Sequence, residues 1–211
     1  MSQQSNLKNC IRAPIPEIAE AAQYLSEAVD AHLKENHKLA ETLIKKSDMP
    51  IIREWTESIW RARSPYITVR PVTDAPTILE KCDRIKVRMP SKLEKQSIRD
   101  RDRDGFHCRF CGVYVIRKEV RQALKSLYPE AVSWGRKNIE QHAALQAMWL
   151  QYDHVLPHSY GGGNDIENIV ITCAPCNFGR MEHLVEAIGV TDPRLREPEV
   201  SDWDGLERLF N

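Results

Sequence analysis

From Glu17 to about Lys46 the apolar residues Ile18, Ala22, Leu25, Val29, Leu33, Leu39, Leu43 and Ile44 recur at near-helical spacing, which predicts one long amphipathic helix. A second helix is expected from Pro50, a residue suited to a first helical turn. It carries Ile51, Ile52, Trp55, Ile59 and Trp60 and stops at Ser64-Pro65. The two should pack as an N-terminal helical hairpin. Ahead of them residues 1–16 are polar and end in Pro14-Ile15-Pro16, which reads as a flexible leader. After them Pro65, Pro71, Pro76 and Pro90 punctuate a connector with one or two short extended pieces.

Ser91-Lys92-Leu93-Glu94 fits a capping box, so a helix should open there and run to about Asp104, where Gly105 stops it. Helical pieces are predicted near Lys118–Leu127 and Asn138–Leu150, parted by Tyr128-Pro129. A strand over Tyr152–Leu156, a glycine-rich turn, a strand over Asn168–Thr172 and a helix from Asn177 to Ile188 then make a ββα unit. In the tail, Trp203, Leu206, Leu209 and Phe210 predict one short helix docked by its apolar side. The fold class is therefore α+β and predominantly helical. It divides into a leader (1–16), a helical region with connector (17–90), a central domain (91–190) with a helical insert at about 113–150, and a tail (191–211).

Composition narrows the class. No apolar run approaches the ~18 residues of a membrane span, and no apolar signal-peptide segment follows the polar N-terminus, so a cytoplasmic protein is expected. Thiols stay reduced in that compartment, and paired cysteines there are more often metal ligands than disulfides. Net charge is zero, yet from Lys92 to Lys137 basic residues outnumber acidic ones twelve to six, while Glu17–Glu41 and the tail are acidic. Such asymmetry leaves room for a nucleic-acid-facing patch on a neutral chain.

Four of the six cysteines form two C-x-x-C pairs, Cys108/Cys111 and Cys173/Cys176, while Cys10 and Cys82 stand alone and read as ordinary cysteines. Four thiolates suit a tetrahedral Zn2+ and leave no position for water, so such a zinc is structural. A redox dithiol and an iron–sulfur cluster are the alternatives. Between the pairs lies Asp153-His154, followed by Gly161-Gly162-Gly163 and Asn168. Neighbours on a strand point to opposite faces. Asp153 can thus offer a hard ligand to Mg2+ while His154, neutral near pH 7, takes a proton from water.

From Arg103 to about Met181 the chain resembles the HNH endonucleases, the ββα-metal finger nucleases, in their zinc-stapled branch. The residues that carry the resemblance are Cys108, Cys111, Asp153-His154, Pro157, Gly161-Gly162, Asn168, Cys173 and Cys176-Asn177. The resemblance implies His154 as general base, Asn168 as the tie on the loop that carries it, and Asp153 with Asn177 as ligands of a catalytic Mg2+ or Mn2+. It implies hydrolysis of DNA phosphodiesters to 5′-phosphate and 3′-hydroxyl ends, with RNA as the alternative target and a non-catalytic zinc-containing binding module as the alternative role. Arg180 stands where the family commonly has Lys, and His158 where a basic residue is usual. These two and Arg109 are the expected nucleic-acid contacts, and a homodimer through the N-terminal helices is a further expectation. His107 and His183 are expected to be incidental.

Overall fold

The computed structural model describes residues 7–60, 64–100 and 105–211. The N-terminal part is built from α1 (Pro16–Leu33), α2 (His37–Ser47) and α3 (Pro50–Trp60). Pro16 occupies the first turn of α1, where its missing N–H is no loss. Ile18, Ala21, Ala22, Leu25, Ala28 and Val29 then form a fully buried face at helical spacing.

The hairpin exists, but its turn falls at residues 34–36 and divides the single helix expected over 17–46. Glu35 takes a left-handed φ of 59°. Asn36 caps α2 by accepting a hydrogen bond from the Leu39 amide at 3.3 Å. No apolar residue lies between Leu33 and Leu39, so a straight helix would have lost its stripe there. Folding back instead lets Ala40 and Ile44 of α2 join the buried face of α1.

The central part contains α4 (Lys92–Asp100), α5 (Lys118–Leu127) and α6 (Ala143–Ala147). The strands β1 (Leu150–His154) and β2 (Ile169–Cys173) and the helix α7 (Ala174–Arg180) complete it. The Ser91–Glu94 capping box forms: the Ser91 amide donates to Glu94 Oε2 at 2.7 Å and the Glu94 amide to Ser91 Oγ at 3.3 Å. The predicted continuation of that helix to Asp104, and Arg103, lie outside the described residues. α5 has the expected bounds. The Asn138–Leu150 helix is instead a 3-10 turn at Asn138–Glu140, then α6, with Leu150 already in β1. β1 and β2 pair antiparallel with Asp153 opposite Val170 and His154 opposite Ile169. β2 is buried along its whole length, covered by packing on both faces.

α7 begins earlier and ends sooner than the expected Asn177–Ile188. Pro175 sits in its first turn, and Met181 terminates it with φ 53°. Leu184, Val185, Ala187 and Ile188 still reach the core, but from a loop and a 3-10 turn. α3 packs on α7 at Gly179, where an added Cβ would lie 2.6 Å from Ile59 Cγ2.

The segments flanking these elements are anchored. Residues 7–15, expected as part of a flexible leader, lie against the body: the Lys8 amide donates to Gly189 O at 2.9 Å, Ile11 is buried, and Trp55 Nε1 donates to Ala13 O at 2.8 Å. The connector has no strand among its described residues, but Arg70 N–Ala187 O and Leu79 N–Ser159 O bonds, each 2.8 Å, fix it to the central part. In the tail, Trp203 Nε1 donates to Val115 O at 3.1 Å and Arg208 reaches Asp30 on α1 at 2.8 Å. Leu206 is buried and Phe210 stays exposed. One continuous hydrophobic cluster runs from α1–α3 through α5 and α6 to both strands. None of the described helices is long and apolar enough to cross a membrane.

Candidate active site and metal centre

Cys108 and Cys111 sit on a tight hairpin closed by Cys108 N–Val113 O and Gly112 N–Cys108 O bonds, each 2.8 Å. Gly112 turns the chain there with φ 76°, a value that an L side chain resists. Cys173 ends β2 and Cys176 lies in the first turn of α7, so the strand–helix junction delivers the second pair. All four Sγ atoms lie within 4.8 Å of one another, and Cys111 and Cys173 are 3.6 Å apart. A tetrahedral zinc with Zn–S bonds of about 2.3 Å places its sulfurs about 3.8 Å apart, so the donor set fits one ion. The span is too short for a polynuclear cluster whose thiolates stand on separate irons. Burial pushes the Cys173 thiol above its ordinary value, and the adjacent sulfurs do the same to Cys176. A bound cation removes that penalty.

The two strand neighbours diverge as the pleat requires. Asp153 turns inward toward α7 and is only 6% exposed, with both of its oxygens accepting from Arg180: Nε to Oδ2 at 2.9 Å and Nη2 to Oδ1 at 2.5 Å. Arg180 also donates to the carbonyls of His154 at 2.7 Å and His183 at 2.8 Å. This bidentate clamp locks the end of β1 to the end of α7. Burial pushes the Asp153 carboxyl above the usual carboxylate value, and the guanidinium opposes that shift. A carboxylate oxygen has a second lone pair. Asp153 therefore still offers oxygen donors of the kind Mg2+ takes, with the half-buried Asn177 lining the same cavity. The donor types fit such an ion, although the charge of Arg180 stands beside them.

His154 lines a cavity of about 320 Å³ together with Asp153, Asn177, Ile85, Val87 and Met89. Its ring packs on that of His158 with centroids 4.3 Å apart. Burial lowers the His154 pKa, the nearby His158 lowers it further, and a hydrogen bond with the Asn164 side chain works in the opposite direction. The lowering favours the neutral imidazole, the form a general base needs. Its Nε2 has no hydrogen-bond partner among the described residues.

Between the strands, Asn168 ties the loop from inside. The Leu156 amide donates to its Oδ1 at 2.8 Å, and its Nδ2 donates to Leu156 O at 3.0 Å and Gly163 O at 2.9 Å. Gly162 is required by contact: a Cβ there would sit 1.8 Å from Leu156 O and 3.0 Å from Asn168 Nδ2. Glycine is the residue that lets the backbone pass this close to the tie.

Two expected nucleic-acid contacts are buried in the structure. Arg109 is buried, and its Nη2 donates to Pro193 O and Arg196 O at 2.5 Å each, so it fastens the first knuckle to the tail. Arg180 is 2% exposed and hydrogen-bonds Asp153 and backbone carbonyls. His158 is half-buried, with neither ring nitrogen paired among the described residues, and packs on the catalytic candidate. His107 is structural, within 2.7 Å of Ser201 Oγ. Sequence reasoning missed the connector stretch Arg84–Met89 at the cavity edge and Asn164, which hydrogen-bonds it. The alternation Arg-Ile-Lys-Val-Arg-Met was the available signal.

Neither the curated proteins nor the solved structures yielded a match to this chain. Residues 144–190, under a quarter of the chain, match the family model described as HNH endonuclease. That stretch spans β1, the Asn168-tied loop, β2 and α7, while the first cysteine pair joins it only through the fold. Residues 144–190 form an HNH endonuclease domain, stapled by the four-cysteine cluster to a hairpin earlier in the chain.

Proposed function

We propose that the protein is a metal-dependent endonuclease that hydrolyses DNA phosphodiesters to 5′-phosphate and 3′-hydroxyl ends. The observation that carries this reading is that the half-buried His154 lines one cavity together with Asp153 and Asn177, with burial lowering its pKa.

His154 takes the proton of the attacking water at a ring nitrogen as the water oxygen bonds to phosphorus and the P–O3′ bond breaks; the 3′-oxygen takes a proton from solvent, and His154 returns its own to solvent. Asn168 fixes the backbone on the far side of the loop, so the imidazole does not drift from the reacting water. Arg180 holds the His154 carbonyl and the Asp153 carboxylate together and serves as a positioning residue. Asp153 and Asn177 would hold a divalent ion such as Mg2+ or Mn2+, which neutralises charge on the phosphate and the leaving oxygen. The four cysteines would hold a structural zinc, which would keep α7, and hence Asn177 and Arg180, in place relative to β1.

The chemistry is tested by incubating purified protein with plasmid DNA and Mg2+ or Mn2+ and presenting the products to DNA ligase without end treatment. Ligatable nicks agree with 5′-phosphate and 3′-hydroxyl ends. Products that need phosphatase or kinase treatment first would contradict the assigned attack and leaving groups. Cleavage confined to RNA would move the substrate, not the site.

A further inference from the structure

Next to the candidate base stands a row of side chains for which water and phosphate have no use. Ile85, Val87 and Met89 are 53%, 59% and 57% exposed, and all three line the cavity that holds His154 and Asn177. They alternate with Arg84, Lys86 and Arg88. Arg88 is taken by Glu94 in a two-pronged pair, whereas Lys86 has no ion-pair partner among the described residues. Lys95 stands over the ring of Tyr152, another lining residue, at 5.6 Å.

The row is held in register with the base. Asn164 Oδ1 accepts from the Arg88 amide at 3.0 Å and its Nδ2 donates to Lys86 O at 3.1 Å. One amide group from the loop after His154 therefore holds both ends of the Lys86–Arg88 stretch, and Ile85, Val87 and Met89 line the cavity with His154. An exposed apolar row interleaved with cations matches a ligand that is anionic along its backbone and apolar on its base faces.

We propose that Ile85, Val87 and Met89 form a wedge that enters duplex DNA beside the scissile phosphate and unstacks the adjoining bases, while Lys86 contacts the backbone. This rests on the endonuclease reading for the place of the scissile bond. Unstacking explains why the row is apolar: apolar side chains inserted between base steps replace the stacking they break.

The test does not depend on cleavage. Duplexes carrying 2-aminopurine at staggered positions are titrated with wild type and with a Val87→Ser/Met89→Ser double variant, following emission for unstacking and anisotropy for binding. Both residues are exposed, so the variant should fold, and circular dichroism with the zinc content verifies it. Wild type should raise emission at one or two adjacent positions. The variant should lose that rise and about tenfold in affinity on paired duplex, with little loss on the same duplex carrying a mismatch bubble. Equal emission from both proteins, equal loss on both substrates, or no duplex binding by wild type would each overturn the wedge. Emission without any cleavage would leave the wedge standing and remove the endonuclease reading instead.

Discussion

Gly162→Ala isolates the link between loop geometry and chemistry, because the three atoms nearest the added methyl group belong to the Leu156 backbone and the Asn168 tie, not to His154, Asp153 or Asn177. The new Cβ would lie 1.8 Å from Leu156 O and 2.6 Å from Leu156 C. Both neighbours are backbone, so relief requires the loop to move by roughly 1 Å or more, given that carbon and oxygen in contact stand well above 3 Å apart. That movement pulls Leu156 or Gly163 away from Asn168, whose three hydrogen bonds hold the loop. A hydrogen bond contributes about 1 kcal/mol net, so losing one to three gives a stability decrease of about 1–3 kcal/mol. A displacement of about 1 Å at a positioned group can cost about 10²-fold in rate. Urea unfolding and cleavage kinetics on the same preparation test this. The expected result is a modest loss of stability with a rate loss of about 10²-fold. A variant within twofold of wild type in rate, with an unchanged unfolding midpoint, would refute the loop argument.

Three further perturbations address other parts of the molecule. Cys173→Ser, or stripping metal with a strong chelator, removes a ligand set whose zinc contributes on the order of 10 kcal/mol in small peptides, so the melting transition should fall sharply and bound zinc should drop; an unchanged melt would mean that the four thiols hold no structural ion. Arg180→Leu leaves the buried Asp153 carboxylate unpaired and should destabilise by about 3–5 kcal/mol in urea unfolding, whereas a loss of substrate affinity alone would place Arg180 on the surface. Because burial and His158 lower the His154 pKa, the base is neutral above a value lower than the ordinary 6.5, and the rate should decline only as pH falls through that lower value; His158→Ala removes one lowering influence, so its acid limb should move toward higher pH, and an unmoved limb would sever the two rings.

Local signals were legible where local chemistry decides. Ser91 and Glu94 satisfy each other's amides whatever surrounds them, and α5 carries its own amphipathic pattern from Lys118 to Leu127. Spacing also sufficed for the cysteines, since two C-x-x-C pairs need little more than to meet. What escaped depends on partners distant in sequence. Arg180 reads as a surface cation until Asp153, on another element, is placed 2.5 Å from it. Arg109 likewise meets its carbonyl partners only when the tail folds back. The break after α1 was half legible: the polar gap and Asn36 signal it, but the apolar positions on either side stay near helical spacing. α7 was drawn too long because Leu184, Val185 and Ile188 are buried without being helical. In the connector, proline spacing indicated an irregular segment, but only the fold shows Arg84–Met89 set along the cavity.

The central claim is that His154 is the general base of a metal-dependent nuclease, and its most direct test is supercoiled plasmid cleavage by wild type and His154→Ala side by side in Mg2+ or Mn2+. His154 is half-buried, so zinc content and circular dichroism of the variant should match wild type. A general base contributes about 10²–10⁴ in rate, and the account predicts nicked or linear product from wild type with a loss of that size in the variant. Equal cleavage by two correctly folded, zinc-loaded proteins would contradict it.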